Sequence, residues 1–143
     1  MTDRNTEHDV AAAQAAAKYR ALRTALLALH KAVLDAERRR YERAHGPIEN
    51  PAQALRLVME DPWFTWLQPL AELIIQADER LAVDVPVELA DLRAFGVNVR
   101  GLLQFDLGGA QFHDAYLRTL QDVPDVVVAH AHVISLLAEV AVD

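Results

Sequence analysis

The chain has 143 residues, about half of them apolar, no cysteine and a net charge of −7. That length supports one buried core, and the lack of cysteine excludes disulfides, thiolate catalysis and iron–sulfur ligation. Glycine and proline are scarce and sit at punctuation points, while alanine and leucine abound, so the composition predicts an all-helical single domain.

Residues 1–8 are polar and acidic; they read as a flexible tail without the features of a secretory signal, ahead of a bundle domain over 9–143. The first helix is predicted from about Val10 to Ala44. Its positions Ala12, Ala15, Tyr19, Leu22, Leu26, Leu29 and Val33 recur by threes and fours, the seam of a helix packed against others. This helix is basic: residues 18–43 hold eight of the fourteen lysines and arginines against three acids. From residue 44 onward fifteen acids stand against five bases. A basic face can meet nucleic acid or anionic lipid. Here, however, Lys31, Asp35, Arg38 and Glu42 alternate in sign at helical spacing, the pattern of a locally braced face docked in its own acidic bundle, and that reading is preferred.

Gly46 and Pro47 stop the first helix. Asn50 then caps a short helix over Ala52–Glu60, with Pro51 in its first turn. Asp61 and Pro62 repeat the device and open a helix to about Leu81 that carries both tryptophans of the chain. Pro69 lies inside it and predicts a kink, because it lacks a backbone donor and clashes with the carbonyl of Thr65. Thr65, Gln68, Glu72, Gln76 and Glu79 form one narrow polar stripe, and Glu72 reads as solvated on it. The remaining surface is apolar, including Trp63, Phe64, Trp66, Leu67, Leu70, Leu73 and Ile74. Such a helix is enclosed by its own chain or by an oligomer interface.

Asp84-Val-Pro86 and Asp122-Val-Pro124 are two copies of one start signal. They predict helices over about Val85–Gln104 and Val123–Val142, with a shorter helix over Ala110–Leu120 after the Gly108-Gly109 break. The last segment is rich in valine but interrupted by histidine, serine and glutamate, so a buried helix is preferred to a strand or a membrane span. Its expected inward set is Val127, Val133, Ile134, Leu137 and Ala141.

Candidate chemistry is sparse. Glu42-Arg-Ala-His45 has the spacing of carboxylate-bridged di-iron bundles, but those need a second copy and two further glutamates, so a chance match is preferred. His130 and His132 point about 200° apart on a helix and cannot clasp one ion. His130 falls on the inward face and reads as a hydrogen-bonded core histidine. His30 and Glu37 lie about 10 Å apart along the helix axis, too far to share one ion directly. Ser135, the single serine, has no nucleophile-elbow turn before it, and no glycine-rich phosphate loop is present. No catalytic residue, metal ligand set or cofactor is therefore expected.

The residues His45-Gly-Pro-Ile48, Asp61-Pro-Trp-Phe-Thr-Trp-Leu-Gln-Pro-Leu70 and Pro124-Asp-Val-Val-Val-Ala-His130 carry a resemblance to a family of small, all-helical bacterial proteins without an assigned activity. The resemblance spans the chain from about Leu22 onward. It implies the helical fold and a bacterial origin, and it transfers no functional residue.

The expectation is a cytoplasmic helical bundle of four main helices plus short additional ones. Its first functional reading is a non-catalytic interaction module that self-associates as a homodimer through the 62–81 helix, with Trp63, Phe64, Trp66, Leu67 and Leu70 at the interface. The second is a bundle holding a metal or small ligand between helices, among His30, Glu37, His113 and His130; Trp63 and Trp66 could line such a pocket, although core filling is the default for both. The third, least favoured, is nucleic-acid binding through the basic helix over 18–43.

Overall fold

The computed structural model describes residues 3–104 and 108–142, and among them it contains seven helices and no strand. They are α1 (Asp3–His45), α2 (Pro51–Glu60), α3 (Pro62–Thr65), α4 (Gln68–Ala82), α5 (Leu89–Gln104), α6 (Ala110–Asp122) and α7 (Pro124–Val142). The all-α bundle expected from composition is the architecture observed.

The 43 residues of α1 make it the mast of the bundle, about 64 Å long at 1.5 Å per residue. It begins at Asp3, so residues 3–8 are helical where a tail was expected; no glycine or proline interrupts them, and an alanine-rich stretch follows. The predicted seam is buried from its second position onward: Ala15, Tyr19, Leu22, Leu26, Leu29 and Val33 all lie in the core, while Ala12 is half-buried. One apolar cluster joins α1 to α4, α5, α6 and α7. Gly46 ends α1 in the left-handed region at φ 90°, and its N–H reaches Glu42 O at 2.8 Å, the backbone state that glycine adopts most readily.

Asn50 and Asp61 cap as expected. Asn50 Oδ1 accepts from Gln53 N at 2.8 Å, and Asp61 Oδ1 accepts from Trp63 N at 2.9 Å. The tryptophan helix departs from its prediction, since it is broken and not kinked. α3 closes at Thr65, a turn follows through Trp66 and Leu67, and α4 restarts at Gln68. Pro69 has no N–H with which to reach the Thr65 carbonyl, so the chain turns with Leu67 N on Phe64 O at 3.0 Å. Phe64, Trp66, Leu67 and Leu70 are core residues of the single chain, and only Trp63 keeps partial exposure. The apolar surface that made these five interface candidates is therefore largely covered from within. Glu72 is exposed, as its stripe implied.

α5 starts at Leu89, four residues after the predicted start. The Arg80 guanidinium explains the delay. It donates to the carbonyls of Val85 and Pro86 at 3.0 and 2.9 Å and to Asp91 Oδ2 at 2.8 Å, so those carbonyls serve the loop. Asp91 also accepts from Glu88 N at 2.9 Å, the reciprocal half of a helix cap. Arg80 holds the Asp91 carboxyl below its ordinary range.

The chain bends by 114° between α6 and α7. α7 presents Val126, Val133, Leu137 and Val140 to the core, while Val127 is 46% exposed and Ile134 only half-buried. Val133 and Leu137 are thus inward as predicted, whereas Val126 takes the place expected of Val127 and Ile134 lies at the edge of the face. Three successive valines leave the phase undetermined by composition, and spacings of seven, four and three match the seam of α1. The Ala141 side chain lies outside the described residues. Among those residues, no single helix is long and apolar enough to cross a membrane.

Candidate functional site

The most unusual group of the core is a carboxylate. Glu37 is 1% exposed, and it falls four residues after Val33, where the seam of α1 would accept an apolar side chain. An isolated buried carboxylate is costly unless paired and hydrogen-bonded. Glu37 has three donors around it. Arg118 Nη2 of α6 donates to Oε1 at 2.9 Å, Arg40 Nη2 of α1 donates to Oε2 at 3.1 Å, and Trp66 Nε1 lies 3.4 Å from Oε2. The break at Trp66 and Leu67 places that indole here, so Pro69 is a remote cause of the site's geometry.

The two arginines are not enclosed as their partner is. Their side chains are 38% and 39% exposed, and both line a cleft of about 370 Å³ with Trp63, Trp66, Gln111 and Asp114. The Arg40 guanidinium sits 4.1 Å from the centroid of the Trp63 ring, a cation–π contact. Arg40 Nε and Trp63 Nε1 are both buried without an acceptor. The cleft is therefore lined by two guanidinium groups and walled by indole.

Aromatic contacts extend from it in two directions. Trp63 meets Tyr41 at 5.5 Å and His45 at 5.3 Å, both near-perpendicular. His45 is thereby accounted for as a ring contact, which suits the chance-match reading of Glu42 and His45. From Trp66 a second run passes through Phe112 and Tyr116 to His130. Tyr116 Oη and His130 Nδ1 are 2.7 Å apart, so His130 is hydrogen-bonded as its position implied, although half-buried and not in the core. Burial pushes the Tyr116 hydroxyl far up and the His130 imidazole down.

Of the four predicted pocket residues, only Glu37 belongs to this site, as its buried anchor. His30, His113 and His130 do not line the cleft. His30 is half-buried on α1 and pushed down by burial. Among the described residues no three His, Asp or Glu side chains converge where a metal ion could be held. Of the interface candidates, Trp63 and Trp66 line the cleft, whereas Phe64, Leu67 and Leu70 pack the core.

Sequence reasoning missed Arg40, Arg118, Gln111 and Asp114. Two signals were present. Extending the α1 seam past Val33 lands on Ala36 and Glu37, an apolar position filled by a charge that must find a partner. Arg118 is the single lysine or arginine from residue 101 to the end of the sequence, a lone base in an acidic stretch. The basic character of α1 also finds partners within the chain: Arg23 Nε donates to Asp78 Oδ1 of α4 at 2.6 Å, and Arg40 serves Glu37.

No protein-family model matches this sequence, and no curated protein or solved structure is detectably similar to it.

Proposed function

We propose that this protein is a non-catalytic helical binding module, and that its recognition site is the cleft between α1, α3 and α6. The observation that carries this reading is the buried Glu37 fixing two half-exposed arginines beside an indole wall. A salt bridge needed for stability alone is poorly served by a buried ion group, because the desolvation cost often exceeds the attraction. A carboxylate that holds two guanidinium groups at the floor of an open cleft has a second use, since preorganised donors bind a ligand without an ordering cost.

The self-association expected through the tryptophan helix has weaker support, because Phe64, Trp66, Leu67 and Leu70 are covered within one chain. Nucleic-acid binding by α1 is weaker still, as Arg23 and Arg40 are engaged by acids of the same chain. A small-molecule fragment set of mixed charge, screened by ligand-observed NMR, tests the reading. Binders that Trp63→Ala loses support it; a set that binds neither protein, or both equally, overturns it.

A further inference from the structure

The chemistry of the cleft narrows the ligand class. Two guanidinium groups share one buried carboxylate, so the floor carries one excess positive charge; the exposed Asp114 on the lining balances it by formal count, but solvent screens a carboxylate on the rim more than it screens the floor. Glu37 takes one N–H of each arginine, which leaves further N–H groups on two half-exposed guanidinium groups for a ligand. A guanidinium fork matches the two oxygens of a planar carboxylate, which a neutral amide of the same shape reproduces poorly. The walls are indole, the surface on which a flat ring packs. A volume of about 370 Å³ admits one such ring with its acid group and lies at the small end of ligand pockets.

We propose that this cleft binds a small aromatic carboxylate, with the acid group on Arg40 and Arg118 and the ring against Trp63 and Trp66. The proposal rests on the cleft being the recognition site. It also assigns roles to the rim. Arg118 is the ligand's principal charge partner, because it comes from α6 and bridges the cleft to α1. Asp114, on the same helix, is a repulsive element that sets the ceiling on affinity and disfavours dianions.

Trp63 and Trp66 are the only tryptophans, so the two indole N–H resonances of ¹⁵N-labelled protein report on this site alone. Titration with benzoate, with benzamide as the neutral isostere and inorganic phosphate as a non-aromatic anion, tests the assignment. Benzoate should move both resonances with a Kd of about 1 mM or tighter, and benzamide should bind at least about tenfold more weakly, a difference near 1.4 kcal/mol. Arg118→Gln should weaken benzoate about tenfold, and Asp114→Asn should tighten it about threefold by removing a like charge. The opposite signs matter, because Asp114 is exposed and its replacement leaves the fold intact even if Arg118→Gln does not fold. Equal binding of benzoate and benzamide would overturn the carboxylate assignment while leaving the cleft as a binding site. Phosphate binding as tight as benzoate would overturn the aromatic part. Silence of both indoles with every probe, at concentrations up to about 10 mM, would remove the proposal and the reading beneath it together.

Discussion

Tyr116 and His130 form a hydroxyl–imidazole pair at 2.7 Å between α6 and α7, across the 114° bend that joins those helices. Burial acts on both members, raising the hydroxyl and lowering the imidazole. In the tautomer protonated at Nε2, the Tyr116 hydroxyl donates to Nδ1, an acceptor that exists only while the ring is neutral.

The pair therefore makes stability depend on pH. His130 and His30 are both held below the ordinary histidine value near 6.5. As pH falls through that value, the unfolded chain binds these protons while the folded chain resists them, so stability is full near pH 7.5 and declines toward pH 5. Thermal melts across that range should show a falling Tm, and the double variant His30→Asn, His130→Asn should flatten the profile. A wild-type Tm unchanged from pH 7.5 to 5.5 would remove this account.

Glu37→Gln should destabilise the protein by about 2 kcal/mol in urea unfolding, since it removes the charge from three hydrogen bonds at a buried site. Arg118→Gln should cost less, about 1 kcal/mol, because a side chain exposed by more than a third is screened by solvent. Exposed Glu139→Gln is the control. Were Glu37→Gln no worse than that control, the ion group would hold nothing together.

Phe64→Asp distinguishes core from interface. At 1% exposure, an aspartate there leaves an unpaired charge in the apolar interior, so far-UV circular dichroism should report loss of helix at 25 °C. Leu55→Asp on α2, where the native side chain is 62% exposed, should leave the spectrum unchanged. A folded Phe64→Asp monomer from a dimeric parent, seen by light scattering, would restore the tryptophan segment as an interface.

The contact of α5 with α7 can be probed at Gly96. A Cβ there would meet Val140 Cγ1 at 3.2 Å. Gly96→Leu should therefore overpack the junction and cost about 2 kcal/mol, and Val140→Ala in the same chain should recover part of that loss as a coupling in a double-mutant cycle. Strict additivity of the two changes would show that they do not meet.

The legibility of the sequence followed the strength of each local signal. The α1 seam was readable because its spacing holds over many turns, and the caps at Asn50 and Asp61 because side chain and proline reinforce one another. The late start of α5 was not, because the competitor for the Asp84 signal was Arg80, whose donation to Val85 and Pro86 is a tertiary event. Which valine opens the inward face of α7 was hidden by three in succession, although Val133 and Leu137 were read correctly. For the candidate site, Glu37 and the tryptophans were singled out, but without Arg40 and Arg118. Arg118 stands 81 residues from its partner, and no periodicity links side chains at that distance.

α2 is capped by Asn50, closes with Asp61 N on Leu57 O, and buries none of its side chains. A helix so placed belongs to the least protected tier of a fold, opening by itself while the core stays closed. Its amides should exchange well ahead of those in the middle of α1, and a protease should find Leu55–Met59 before any other helix interior. Asp61 is at once the last cap of α2 and the first cap of α3, with Trp63 N on its carboxylate. Opening of α2 should therefore loosen the anchor of the Trp63 wall, and the Trp63 amide should exchange together with those of α2.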